Sequence, residues 1–237
     1  MRYFLIIPAA GSGRRFAASV PKQYAALGSS TVIEHALAPF EADPDCTGIV
    51  VVVAHHDTLW PPIAARRSRL IESAQGGAER VHSVRAGLRA LANHAREDDW
   101  VMVHDAARPC FFAGDLASLK KDLAAHEVGG LIAFPLADTL KRAANAADPP
   151  AVESTVDRSG LWRAATPQVF RFGHLSRALD AALADGKTPT DEAQAIEWLG
   201  FRPRLVAGRP DNIKVTTADD LKLASAILKS RALPENN

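Results

Sequence analysis

Tyr3-Phe4-Leu5-Ile6-Ile7-Pro8-Ala9-Ala10-Gly11-Ser12-Gly13-Arg14-Arg15 opens the chain with an apolar run that gives way to small residues and then to cations. Tyr3 to Ile7 show no polar alternation, the pattern of a strand covered on both faces in a parallel sheet. The small residues after it let a ligand approach the main chain, and their N–H groups can converge on phosphate oxygens. Residues 1–33 contain Arg2, Arg14, Arg15 and Lys22 but no acid; the first is Glu34. Unopposed guanidinium and ammonium groups beside such a turn suit an anionic ligand. A dinucleotide fingerprint would need Gly where Phe16 stands, and a Gly-Lys-Ser/Thr phosphate loop would need Lys where Arg14 stands, so neither fits. Gly11 and Gly13 alone favour a plain strand-to-helix turn with solvated cations. The acid-free stretch and Pro21-Lys22 turn the reading toward a nucleotide-phosphate loop.

Outward from this loop, short apolar runs alternate with helical patterns. Residues 49–54, 100–103 and 131–135 repeat the buried-strand pattern of residues 3–7. Between them, 31–41, 80–95 and 115–126 read as helices. The first opens with the capping-box spacing Thr31-x-x-Glu34, and the second places Val81, Val84, Leu88 and Leu91 on one face. This alternation predicts an α/β fold with a doubly wound, mostly parallel sheet. Ligands of such sheets sit beyond the carboxyl ends of the strands, where the Gly11 and Asp105 loops would both lie. Residues 168–172, 204–206 and 212–215 add strands. Helices follow over 172–184, from Thr190 as cap, and over 218–229, the last amphipathic through Leu221, Ala224 and Leu228. Residues 136–166 break the pattern: 139–143 and 152–156 are extended, polar, and joined by a turn-rich tip at 145–150. That hairpin is either a mobile surface feature or an arm packing on a partner subunit.

The 237 residues fit one large domain or one domain with an appendage, 47% hydrophobic and 23% charged, an ordinary globular composition. The formal charge is +1, so no global field recruits nucleic acid or an anionic membrane, and any anion site is a local cluster. Cys46 and Cys110 are only two and far apart, which fits a reducing compartment. No Cys/His metal spacing occurs, and His55-His56 reads as a surface turn. The first apolar run is shorter than a secretory one, and no run approaches the ~20 residues of a membrane span. A cytoplasmic protein is expected.

Three further clusters carry chemistry. In Val103-His104-Asp105-Ala106-Ala107-Arg108-Pro109 a carboxylate closes a buried strand beside an arginine. It is either an ion pair fixing the loop or a site for a metal-bound phosphate or sugar hydroxyl. Gly76-Gly77-Ala78-Glu79-Arg80 leads into a helix containing Ser83, and is either a plain helix entry or a reader of a base edge or anion. Lys214, in Asp211-Asn212-Ile213-Lys214-Val215-Thr216, either snorkels outward or points into the phosphate site.

Taken together, PAAGSGRR, VPKQY, GGAERVHSV, VHDAARPC, DTLKR, TVDRSGLW, ATPQVF, TDEAQA and DNIKVT resemble the 2-C-methyl-D-erythritol 4-phosphate cytidylyltransferase family. They span nearly the whole chain in order and at the family's spacings. The resemblance implies a Rossmann-like nucleotidyltransferase fold over 1–237, with 136–166 as a dimerisation arm. It implies cytidylyl transfer from CTP to methylerythritol phosphate, with Mg²⁺ held mainly by the CTP phosphates rather than by dedicated protein ligands. Arg15 and Lys22 match transition-state stabilisers; Arg158 and Lys214 match residues that position the substrate phosphate against the nucleotide. Ala9, Ala10, Gly11, Gly13, Gly77, Ser83, Asp105 and Ala106 match the nucleotide surface. Asp105, Arg108, Thr139, Arg158, Thr166, Thr190 and Lys214 match the substrate side, with Thr139 and Arg158 reaching a neighbour's site in a homodimer. Ala78 departs from the family's frequent Asp. The chain closes soon after its last helix, which implies no fused cyclase domain. Transfer to another polyol phosphate, such as ribitol 5-phosphate, is the alternative enzyme; a nucleotide-binding regulatory module is the alternative of another class.

Overall fold

The protein is described by a computed structural model over residues 1–11, 16, 20–144 and 149–232. The first half contains β1 (Tyr3–Pro8), a 3-10 turn (Lys22–Tyr24), β2 (Ala26–Leu27), β3 (Ser30–Thr31), α1 (Val32–Glu41), β4 (Cys46–Val53), α2 (Trp60–Ala64), β5 (Leu70–Gln75) and α3 (Arg80–Leu91). There follow β6 (Trp100–Val103), α4 (Ala113–Leu123), β7 (Gly129–Pro135), β8 (Leu140–Ala143), β9 (Val152–Val156) and β10 (Trp162–Arg171). The chain continues through α5 (Phe172–Ala184), α6 (Glu192–Trp198), β11 (Arg204–Ala207) and α7 (Ala218–Ala232).

Seven strands form the central sheet in the order β11-β7-β10-β6-β1-β4-β5. β10 alone runs antiparallel to its neighbours β6 and β7; the other pairings in this sheet are parallel. Alternation along each strand divides the core. Tyr3, Leu5 and Ile7 of β1 join Ile33, Leu37 and Phe40 of α1 and Leu116, Leu119 and Leu123 of α4 on one face. Phe4 and Ile6 join Val81, Val84, Leu88 and Leu91 of α3 and Leu175 and Leu179 of α5 on the other. The chain therefore needs apolar residues at every position of β1, each worth about 1.5–3 kcal/mol when buried. The expected α/β, mostly parallel sheet is the observed one.

The strand order reverses at β1. The chain builds outward through β4 and β5, then returns to place β6 on the opposite side of β1. The carboxyl ends of β1 and β6 thus flank the switch point, where a crevice forms in open α/β sheets. Main-chain bonds carry the ladders into the loops there: Ala9 N donates to Val52 O (2.7 Å), Gly76 N to Val53 O (2.8 Å) and His104 N to Ile6 O (3.0 Å).

Several local expectations change. Residues 212–215 are a loop rather than a strand, docked by Val215 N donating to Ala107 O (2.8 Å). Asp191, not Thr190, caps α6: its carboxylate accepts from Gln194 N (2.9 Å). Thr31 and Glu34 do form a capping pair, the Glu34 carboxylate accepting from Thr31 N–H at 3.0 Å and its hydroxyl at 2.9 Å. His55 and His56 lie in an exposed turn, His55 Nδ1 bonded to Gln75 Oε1 (2.8 Å). β8 and β9 pair as a separate two-stranded ladder with Val152 64% exposed, so none of the described residues covers Val152; residues 145–148 lie outside the described residues. Among the described residues, no helix is long and apolar enough to cross a membrane.

Candidate active site

A cleft of about 520 Å³ opens at the switch point, lined by Pro8–Gly11 after β1, by Lys22 and Gln23, by Gly77–Arg80 and Ser83, by Asp105–Ala107 after β6, and by Lys214. Of the residues expected to bind or act on a nucleotide, the structure brings together Ala9, Ala10, Gly11, Lys22, Gly77, Ser83, Asp105, Ala106 and Lys214. Gly13 and Arg15 lie outside the described residues. Gly76 has to be small: a Cβ there would collide with the Ala10 side chain and come within 2.7 Å of Ser83 Oγ, so the two loops meet without a gap. Gln23, 4% exposed, ties the first loop down, its Nε2 donating to Ala9 O (2.7 Å) and Gly11 O (3.3 Å).

Asp105 is the electrostatic centre. Its Oδ1 lies 3.2 Å from Arg80, and its Oδ2 lies 2.9 Å from Lys214 Nζ and 3.4 Å from Arg108 Nε. Burial alone would raise its pKa, but Arg80, Lys214 and Arg108 outweigh burial and hold it far below the usual carboxylate range. Arg80 also grips Glu192, sealed at 2% exposure, through both carboxylate oxygens, with Nη2 to Oε2 at 3.0 Å. Burial raises the Glu192 pKa against the pull of Arg80. Arg108 does not line the cleft; it braces the loop, donating from Nη1 to Asn212 O (2.8 Å).

Beneath the cleft, His104 is fully buried against the stacked pair Phe40 and Phe111, with ring centroids 5.1 and 5.3 Å away. Its Nε2 faces Arg108 O (3.2 Å), which can only accept, so Nε2 carries the proton and Nδ1 accepts from Thr166 Oγ1 (3.1 Å). Thr166 Oγ1 in turn accepts from Asp105 N (3.0 Å). Desolvation brings the His104 pKa down to about 4, so it stays neutral. Thr166, 4% exposed, thus sits under the site and holds Asp105, with its carbonyl accepting from Asn212 Nδ2 (2.9 Å). The structure does not bring Thr139, Arg158 or Thr190 into the cleft of this chain; all three are exposed outside it.

Arg80, Glu192, His104 and Gln23 escaped the sequence reading as functional positions. Arg80 and Glu192 are 112 residues apart and leave no local pattern. One signal was legible: Arg80 starts α3, where the helix dipole disfavours a cation, so its placement needs another reason.

The chain matches the family model IspD: 2-C-methyl-D-erythritol 4-phosphate cytidylyltransferase over residues 3–230. It is 52% identical over 221 residues to the 2-C-methyl-D-erythritol 4-phosphate cytidylyltransferase of Ectopseudomonas mendocina, covering 93% of each chain. It is 50% identical over 220 residues to that of Pseudomonas paraeruginosa, covering 92% of this chain and 93% of the relative. A crystal structure described as 4-diphosphocytidyl-2C-methyl-D-erythritol synthase superposes with a TM-score of 0.83 at 39% identity, over 96% of this chain and 98% of its own. With its nucleotidyltransferase sheet, its cleft at the switch point and the match along nearly its whole length, the chain belongs to the 2-C-methyl-D-erythritol 4-phosphate cytidylyltransferase family.

Proposed function

We propose that the protein transfers the cytidylyl group of CTP to the phosphate of 2-C-methyl-D-erythritol 4-phosphate, giving 4-diphosphocytidyl-2-C-methyl-D-erythritol and pyrophosphate in isoprenoid precursor synthesis. The observation that carries this reading is the cleft itself, which sets Lys22 and Lys214 beside small-residue loops and the buried Asp105, in a chain of this family. A phosphate oxygen of the polyol attacks the α-phosphorus of CTP in line. The new O–P bond forms as the bond to the β-phosphate oxygen breaks, and pyrophosphate leaves with the electron pair. Lys22, with Arg15 on the same loop in sequence, neutralises charge growing on the phosphoryl oxygens, and Lys214 turns from Asp105 to hold the incoming phosphate.

Arg80 and Arg108 stay beside Asp105 even when Lys214 turns away, and their positive charge disfavours a metal ion on that carboxylate. Mg²⁺ accordingly fits on the triphosphate oxygens, where it would offset negative charge on the leaving pyrophosphate. The segment 136–166 acts as an arm in a homodimer and delivers Thr139 and Arg158 to the partner's cleft. Support comes from their distance from this chain's own cleft and from the exposed β8–β9 ladder. Cys46 and Cys110, both buried free thiols, support a cytoplasmic setting.

The test is pyrophosphate release from CTP with methylerythritol phosphate or ribitol 5-phosphate as acceptor, at equal enzyme and Mg²⁺. A kcat/KM at least about 100-fold higher for methylerythritol phosphate is expected; preference for ribitol phosphate, or release with neither, overturns the reading.

A further inference from the structure

Arg80 stands between two carboxylates that differ in access. Glu192 is sealed in the first turn of α6, whereas Asp105 lines the cleft. The terminal fork of Arg80 is spent on Glu192, and its contacts to Asp105 Oδ1 are longer, at 3.2 Å. A fork–fork arginine pair is the stronger arrangement, so Glu192 limits how far Arg80 can occupy Asp105. On Oδ2, Lys214 is the partner best able to leave: its side chain is 40% exposed, against 12% for Arg108. Once Lys214 turns to a phosphate, whether of CTP alone or of the incoming polyol, Asp105 regains acceptor capacity facing the cleft, and only as long as Arg80 does not take it. That capacity suits a neutral donor, a sugar hydroxyl.

We propose that Glu192 is a positioning residue that holds Arg80 back so that Asp105 can accept a ribose hydroxyl of the nucleotide, making the Glu192–Arg80 pair a determinant of sugar specificity. The proposal takes CTP as the nucleotide, in line with the function proposed above. Without the Glu192 charge, Arg80 has one carboxylate left and closes its fork on Asp105. A ligand hydroxyl then meets an acid already occupied by arginine, and its presence or absence matters little.

The experiment is calorimetric binding of CTP, 2′-deoxy-CTP and 3′-deoxy-CTP, each with Mg²⁺ and without polyol phosphate, to the full chain and to Glu192→Gln. A hydrogen bond to a charged group is worth roughly 10- to 100-fold in affinity, so the unaltered protein is expected to bind CTP at least about tenfold more tightly than one deoxy analogue. Glu192→Gln is expected to bring that ratio below about threefold. Arg80→Lys, whose compact ammonium cannot span both carboxylates and stays with the sealed Glu192, is the second variant should Glu192→Gln not fold; it leaves Asp105 to the hydroxyl and is expected to keep the ratio at or above that of the unaltered protein, and a fall below about threefold overturns the proposal. Equal weakening of all three nucleotides would assign Glu192 a purely structural role and overturn the proposal. So would equal affinity of the unaltered protein for all three, or no binding of CTP at all. Binding is read without turnover, so a protein that selects the ribose yet releases no pyrophosphate would contradict the proposed reaction and leave this inference standing.

Discussion

His104 shows how one side chain can fix a loop without touching a ligand. Its two nitrogens close a chain of bonds from Asp105 N through Thr166 Oγ1 to Arg108 O, and the chain has a direction that requires a neutral ring. Burial brings its pKa from 6.5 down to about 4. The unfolded chain therefore takes up this proton near pH 6.5, and the folded chain only near pH 4. The contribution to stability is complete above pH 6.5 and is lost as the pH falls toward 4. Between pH 7 and 4.5 this amounts to about 2–3 kcal/mol. Urea unfolding at several pH values is expected to show the loss in the unaltered protein and a correspondingly flatter profile in His104→Gln. Glu192, with its raised pKa, slopes the other way, but it is common to both proteins and cancels in the difference. The depressed pKa of Asp105 withdraws its own contribution below the range of the experiment. Equal slopes for the two proteins would mean that folding leaves the proton affinity of His104 unchanged, and the neutral buried ring would be wrong.

At the scale of elements, α6 is joined to the sheet by a small polar seam. Asp191 caps the helix through Oδ1 and accepts from Gln168 Nε2 through Oδ2 (2.9 Å), while Gln168 Oε1 accepts from Ala193 N (2.8 Å). Gln168 is 1% exposed, so losing Asp191 removes a cap and leaves a buried amide donor with a weaker partner. Asp191→Ala is expected to cost about 2–3 kcal/mol, more than an ordinary cap at about 1 kcal/mol. Asp191→Asn, which keeps both acceptor geometries in part, is expected to cost less than half of that; urea midpoints at constant m value decide it. The same seam shows where sequence reading stops. Thr190 and Asp191 are both good caps, and only the presence of Gln168 beneath them selects Asp191. β5 was not legible because Leu-Ile-Glu-Ser-Ala-Gln is an edge strand with half its side chains in water, unlike the wholly apolar β1 and β6. Residues 212–215 alternate as a strand does, yet they join no ladder; Val215 N donating to Ala107 O, Arg108 Nη1 to Asn212 O and Asn212 Nδ2 to Thr166 O dock them as a loop instead. Lys22, Asp105 and Lys214 could be read as site residues because each lies in a motif. The Arg80–Glu192 pair could not, because its partners meet only when α3 and α6 pack on the same face of the sheet.

For the whole molecule, the proposed arm makes the site a property of two chains. Lys22 lines the cleft of its own chain, whereas Arg158 lies outside it. Lys22→Ala and Arg158→Ala are each expected to lower kcat by about 10²–10³, with a smaller change in KM, since each removes charge opposite a developing negative charge. Mixing the two inactive variants is expected to restore part of the activity, because one of the two sites in a mixed dimer draws an intact Lys22 and an intact Arg158. Mixed dimers shown to form yet remaining inactive would place both residues in one chain's site. The way the segment 136–161 is rooted has a broader consequence. It leaves the sheet at Pro135 and returns at Trp162, and these two residues face each other across the β7–β10 ladder. A chain that turned directly from one to the other would keep every rung of the sheet. The excursion is therefore an exchangeable cassette: its length and lining can be rewritten by insertion or grafting while the nucleotide cleft, built on the far side of β6, keeps its shape. For the proposed arm, a change of acceptor polyol is expected to be reachable through this loop together with the cleft residues that hold the incoming phosphate, with the same two anchor points kept.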